Sequence, residues 1–464
     1  MTDGTVPPPR DEVVVRGAWV LTCGPDGRVR DGAVHLRDGA IVAVGPADEV
    51  RRGAPGVREV GDGSGIVLPG LVNTHTHLSE ALATGMGSEL SLFEWGERIV
   101  TPVGAVLTDE HAREGAVLKG IELLHAGVTC VNDLFVHANP GAGVSLGVVD
   151  GLERVGLRGV VAWGPEDAVE GVPAMASAGL EVLLEEHRAL AERTAASTTI
   201  GFRLGIGTLL GQTDALLEAS VATARANGWG VHTHLAEVRE EVVHSRLRWG
   251  RRPAEQAAAL GLLELPLIAA HVIWVTEPDV ALLAEAGTGV AHNPVANMIL
   301  GSGVCPVPRL RAAGLAVGIG TDGAASNDGQ DMLQAVKTAA LLQKVDRLDP
   351  AAISGDDVLA MATIEGARAL GLDERIGSLE VGKRADVVLV EGTVEVANLH
   401  DPVQQLVYAT SPRSVRDVWV DGRHVLAEGH VTTVDEAEQV ARCRPLARDL
   451  ARASGLAARG FSAL

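Results

Sequence analysis

The pair His75-Thr76-His77 closes one apolar run of the chain, and a second pair, His232-Thr233-His234, closes another. Alternate side chains on an extended strand face the same way, so both imidazoles of such a pair can share one cation. Further groups of the same kind end later apolar runs: His271 in LIAAHVIW, His292 in GVAHNP and Asp322 in LAVGIGTD. Glu237 follows the second pair closely. Imidazoles and carboxylates can hold a divalent ion that acidifies water, and nearby carboxylates can move protons, so these residue types suggest hydrolysis. Singly, each has a plainer reading. An H-x-H is also a pair of core histidines, His271 a buried hydrogen-bonded ring, and the G-T-D-G around Asp322 a turn. Their recurrence at the ends of several runs favours a site.

Eight apolar runs must position these groups: 66–77, 128–133, 157–163, 201–207, 230–237, 267–274, 289–294 and 315–322. Between them lie amphipathic stretches such as DEHAREGAVLKGIELLHAG, ALLEASVATARANG and EPDVALLAEAG, each ending in Gly, a common helix stop. Strands alternating with helices predict a parallel sheet, and eight of them favour an α/β fold closed into a (β/α)₈ barrel. The carboxyl ends of the strands then converge on one face, where the histidines meet. The chain ends read differently, as short strands broken by Gly and Asp turns: VVVRGAWVLT, GAVHLRDG and IVAVG early, RADVVLVEG and VRDVWVDGRHVLAEGH late. The expected organisation is one half of a small β-sandwich in 1–65, the barrel in 66–375, and the other half with a terminal helix in 376–464.

Composition narrows the classes. A chain of 464 residues, 46% hydrophobic, can bury a large core, and its formal charge of −21 argues against binding to nucleic acid or anionic membranes. Four cysteines without a C-x-x-C pair argue against a disulfide framework or a cysteine zinc site. There is no basic-then-apolar leader and no run of about 20 apolar residues, so a cytoplasmic protein is expected.

PGLVNTHTHL, HTHLAE, AAHVIW, HNPVANMILGSG and GIGTDGAASND resemble, in order, the motifs of the amidohydrolase superfamily. They are most similar to its branch of triazine hydrolases, guanine deaminases and methylthioadenosine/S-adenosylhomocysteine deaminases. The resemblance implies that His75, His77, His234 and Asp322 hold one Zn²⁺ (or Fe²⁺), leaving a position for water. His232 is then the strand neighbour, because His234 has the family's H-x-x-E spacing to Glu237. Asp322 would take the water's proton, His271 would orient the attacking oxygen, and Glu237 would bind and protonate a ring nitrogen. The fourth run, GFRLGIG, lacks the lysine that two-metal members use as a carboxylated bridge, which favours one metal and deamination.

The implied reaction replaces the amino group of a purine-, pterin- or triazine-like heterocycle by a keto group. Displacement of chloride or an alkylamine by the same machinery is the alternative, and a non-catalytic scaffold is a third reading. A homo-oligomer is common among such relatives. SLFEW resembles a segment whose glutamate binds ribose hydroxyls, which assigns that role to Glu94 with Trp95 packed nearby; a surface Glu and a buried Trp are the plain alternative. Against an adenosine-type substrate stand Thr208 and Leu209 where a G-P-H-S-P-like motif is usual, NDLFVHANP in the second loop, and AWGPED where an Arg is expected. His137 and Glu80 are further pocket candidates.

Overall fold

The computed structural model describes residues 9–87, 89–136, 138–168 and 177–459. His137 lies outside the described residues. The barrel strands are β1 (Leu71–His77), β2 (Val128–Val136), β3 (Arg158–Gly164), β4 (Ile200–Phe202 continued by Leu204–Thr208), β5 (Val231–Leu235), β6 (Leu267–His271), β7 (Gly289–His292) and β8 (Val317–Ile319). All neighbouring pairs are parallel, and β8 returns to β1 through Ile319 opposite Asn73. The ring is completed inside β4, where Arg203 N–H donates to Val161 O at 3.2 Å and Leu204 N–H to Gly230 O at 2.9 Å. The strands are buried on both faces, which is why they read as continuous apolar runs.

The helices expected between strands are present as Asp109–His125, Asp214–Asn227 and Glu277–Glu285. Each is followed within two residues by a glycine at positive φ, Gly127, Gly228 and Gly287, which turns the chain back toward the barrel.

One expected strand is two. Ile66–Pro69 pairs in parallel with Val13–Leu21 and antiparallel with Val387–Val390, so it belongs to the terminal sheet; β1 begins only at Leu71. The switch is at Gly70, where a Cβ would collide with Thr129. No polar residue marks it because both sheets bury their part of the segment.

Strands from both chain ends form one continuous nine-stranded sheet. It packs its own core, in which Val13, Val34 and Val67 meet Val387, Leu389 and Trp419. Arg158 of β3 fastens this unit to the barrel through two buried hydrogen bonds to Asp386, at 2.9 and 3.0 Å, and one to Asp421 at 3.3 Å. The helix Glu436–Ala453 then returns to the barrel wall, where Gln439 Nε2 donates to Glu114 O at 3.0 Å. Among the described residues, no helix is long and apolar enough to cross a membrane.

Candidate active site

His75 and His77 stand two apart at the end of β1 and enter the same space, where β5 delivers His234 and the turn after β8 delivers Asp322. The Nε2 atoms of His75 and His77 each lie 3.3 Å from Asp322 Oδ1, and those of His77 and His234 lie 3.2 Å apart. The far ring nitrogens are already engaged. His77 Nδ1 donates to Leu134 O, and His234 Nδ1 donates to Gly207 O at 2.7 Å. A neutral ring that donates from Nδ1 presents a lone pair at Nε2. Two such lone pairs converge beside a carboxylate, an arrangement that repels itself unless a cation stands between them. His75 Nε2, fully buried and without a hydrogen bond, points to the same place. The four donors therefore fit one divalent ion, and the carbonyls of Leu134 and Gly207 fix the His77 and His234 rings, as hydrogen-bond partners of metal-bound imidazoles do.

Burial dominates the titration of the cluster. It presses the His75 imidazole down to about 4 and takes His232 and His234 well below the usual imidazole range. It opposes charge on His77 too, but with no cation between the donors Asp322, Glu80 and Asp133 prevail and raise the ring to about 9, so a bound ion must displace the Nε2 proton to use the lone pair there. Asp322, whose burial works against ionisation, is nevertheless held well below the carboxylate range by His75 and His77. His232 is not a donor to this cluster: its Nε2 lies 2.9 Å from His75 Nδ1, so it supports the ligand from behind.

Two proton-carrying groups face the four donors. His271, at the end of β6, sets Nε2 3.4 Å from Glu237 Oε2 and 3.8 Å from Asp322 Oδ2, while its Nδ1 lies 2.8 Å from Asn297 Oδ1. Ser302 Oγ donates to Glu237 Oε1 at 3.1 Å. Burial raises the Glu237 carboxyl above its ordinary value. The strand ends turn sharply to present these groups. Ala236, His271, Val272 and Asp322 all have positive φ without being glycine, at 53°, 73°, 48° and 67°. Such a concentration of left-handed residues is characteristic of functional strand ends.

A cavity of about 410 Å³ opens onto the cluster; His77, His234, Glu80, Glu237, Trp95 and Thr208 are among its lining residues. Trp95 is buried and its Nε1 donates to Ala325 O at 3.0 Å. Glu94 does not line this cavity. Its exposed carboxylate accepts from Ser91 Oγ at 2.8 Å and Ser91 N–H at 3.2 Å, capping the short helix Leu92–Trp95. Leu209 is buried behind the wall. His292 is also apart from the cluster: Ala291 faces the barrel interior, so its neighbour turns outward toward the helices.

Several residues in the site have only weak signals in the sequence. Asn293 and Asn297 reach His271 from the H-N-P-x-x-N segment that begins at the end of β7, and Ser302 follows five residues later. Asp133, within β2, accepts from Leu78 N–H at 2.7 Å just beyond the ligand pair. Glu166, in the AWGPED segment, forms part of the cavity wall.

Known proteins are similar to this one along nearly the whole chain. Residues 66–425 match the family model described as the amidohydrolase family. The chain is 38% identical over 443 residues to a 5-methylthioadenosine/S-adenosylhomocysteine deaminase of Desulforudis audaxviator, covering 94% of this chain and 99% of that one. It is 36% identical over 426 residues to a 5'-deoxyadenosine deaminase of Methanothermobacter thermautotrophicus, with 90% and 95% covered. A crystal structure of an adenosine deaminase from Xanthomonas campestris with bound zinc superimposes with a TM-score of 0.88 at 32% identity, covering 96% of this chain and 100% of that one. With the matched segment running from the strand before β1 into the terminal sheet, this chain belongs to the amidohydrolase family.

Proposed function

We propose that this protein is a zinc-dependent deaminase of adenosine-type nucleosides, exchanging the amino group of the base for a keto group. The observation that carries the reading is the meeting of Glu237, His271 and Asp322 over the four metal donors, at the floor of a cavity of nucleoside-compatible size. The names of the relatives reported above, deaminases of adenosine or of its derivatives, support the substrate class. At 36–38% identity the two sequence relatives weigh for a nucleoside over the pterin reading, while triazine hydrolases, at 24% identity, share the fold.

A divalent ion held by His75, His77, His234 and Asp322 would acidify a water to near neutrality. Zinc suits the donor set and is present in the related adenosine deaminase structure. Asp322 keeps Oδ1 toward His75 and His77 and turns Oδ2 toward His271, so Oδ2 is the atom free to accept the proton of the attacking water. Glu237 accepts from Ser302 on Oε1, which leaves Oε2 to carry its proton to a ring nitrogen and make the adjacent C–N carbon electrophilic. His271 Nε2 faces both carboxylates and fixes the direction from which the water attacks. The proton taken by Asp322 then leaves with ammonia, and the remaining hydroxyl proton returns to Glu237 as the keto group forms.

The test is ammonia release from adenosine, 5'-deoxyadenosine and methylthioadenosine by zinc-loaded protein, beside Glu237→Gln. Release of one ammonia per base, lost by at least about 100-fold in the variant, supports the reading. No release from any of the three, with zinc bound, would overturn the substrate class.

A further inference from the structure

The carboxylate of Asp322 has two duties. One oxygen faces His75 and His77 and the other faces His271, so its direction must be closely held. Its backbone does not hold it unaided. At φ 67° Asp322 sits in the left-handed region, which a side-chain-bearing residue keeps only where its surroundings enforce it. Asp322 lies beside Thr76, and Gly323 beside His77, in a short parallel bridge to β1.

A buried amide meets that turn from the other side. After Asp322 the chain loops out and returns, closed by Asn327 Nδ2 donating to Thr321 O at 2.7 Å, and brings Gln330 back to the turn. Gln330 is fully buried, and its Nε2 donates to Asp322 O at 3.0 Å. Its Oε1 accepts from Thr321 Oγ1 at 2.6 Å and from Thr76 Oγ1 at 3.0 Å. A carbonyl only accepts, so the amide nitrogen must face Asp322 O and the amide oxygen the two hydroxyls. Thr321 Oγ1 itself accepts from Asn73 Nδ2 at 2.7 Å, which directs its own hydrogen to Gln330. One side chain thereby joins the residue between the two β1 donors, the residue before Asp322, and Asp322 itself. Gln330 is anchored in turn to the helix Asp109–His125: its N–H donates to Glu122 Oε1 at 2.6 Å, and Lys119 Nζ donates to Glu122 Oε2 at 3.0 Å.

Building on the deaminase reading above, we infer that Gln330 is a positioning residue for Asp322. It sets the angle at which the carboxylate stands between the other metal donors and His271. It is not among the described residues that line the cavity, so it acts on the reacting groups without meeting the substrate. Loss of its amide should therefore disturb metal geometry and turnover and spare substrate binding.

The experiment uses Gln330→Met, which keeps the bulk and removes donor and acceptor, and Thr321→Val, which removes one hydroxyl and leaves the amide on Asp322 O. Zinc has no visible spectrum, so cobalt(II) loaded into metal-free protein reports the donor geometry, and zinc affinity is read by competition with a chromophoric chelator. In Gln330→Met the cobalt band is expected to change and zinc affinity to weaken by at least about tenfold. Its kcat for 5'-deoxyadenosine is expected to fall at least about tenfold, with KM within about twofold of wild type. Thr321→Val should show the same changes to a smaller degree, and it carries the test if Gln330→Met does not fold. A role in packing alone would lower the midpoint of urea unfolding and leave the cobalt band and zinc affinity at their wild-type values; that result overturns the inference. Both metal measurements are made without substrate. Absence of ammonia from the zinc-loaded wild type would thus defeat the deaminase reading, while the band and the affinity still decide whether Gln330 positions Asp322.

Discussion

Glu241 holds Glu237 in place by its backbone: one carboxylate oxygen accepts from Glu237 N–H at 2.7 Å and the other from Ala236 N–H at 2.9 Å. The contact spans the left-handed turn at Ala236 and is fully enclosed. The acid proposed to deliver the proton is thus aimed by a second acid, four residues further on.

Removing that support leaves two buried N–H groups without partners. Glu241→Ala is predicted to cost about 2–3 kcal/mol of stability, read by urea unfolding. It should also lower kcat more than it raises KM, by at least about tenfold, because Glu237 loses its aim. Glu241→Gln retains one acceptor oxygen and should fall between Ala and wild type. Equal kcat in all three would show that Glu237 is positioned by something else.

Much of this architecture is legible in the sequence, for reasons that can be stated residue by residue. His75 and His77 reveal themselves because strand periodicity puts them on one side, and the barrel strands because burial on both faces demands unbroken apolar runs. The division at Gly70 is hidden by that same continuity. Glu94 shows the opposite failure: the motif suggests a ligand contact, but Ser91 three residues earlier forms a capping box that engages its carboxylate. His292 ends a strand like the others, and only the inward-facing Ala291 reveals that it faces away from the site. The contacts of Glu241 and Ser302 with the Glu237 segment exist only once the strand ends are assembled.

The fastening of the terminal sheet to the barrel is open to a direct test. Asp386 accepts two hydrogen bonds from Arg158 and one from Asp421 N–H at 2.8 Å, all buried. Asp386→Ala leaves a buried guanidinium short of its partner and should destabilise by about 3–5 kcal/mol. Replacing Arg158 by Met together with Asp386 by Leu should be markedly less harmful, since no buried charge is stranded. A double variant as unstable as Asp386→Ala would contradict this.

His187 predicts a pH dependence of stability. It is fully buried against Trp163 and Phe202, with both ring nitrogens lacking hydrogen bonds, and burial pushes its imidazole from 6.5 down to about 3. The folded state thus holds the neutral ring, whose contribution is complete above pH 6.5. Below that the unfolded chain takes up a proton the fold refuses, and stability falls by about 1.4 kcal/mol per pH unit until the folded ring itself titrates. His187→Leu should reduce the slope of unfolding free energy against pH by about that amount between pH 6 and 4. An unchanged slope would mean that His187 is solvated or paired in solution.

The account rests most directly on one ion activating one site. Metal-free protein should be titrated with zinc while ammonia release from 5'-deoxyadenosine is followed, with Asp322→Asn in parallel. The predicted result is activity that climbs from none to a plateau at about one zinc per chain, with the variant inactive at every point. Activity in the metal-free protein, or in zinc-loaded Asp322→Asn at the wild-type level, would contradict it.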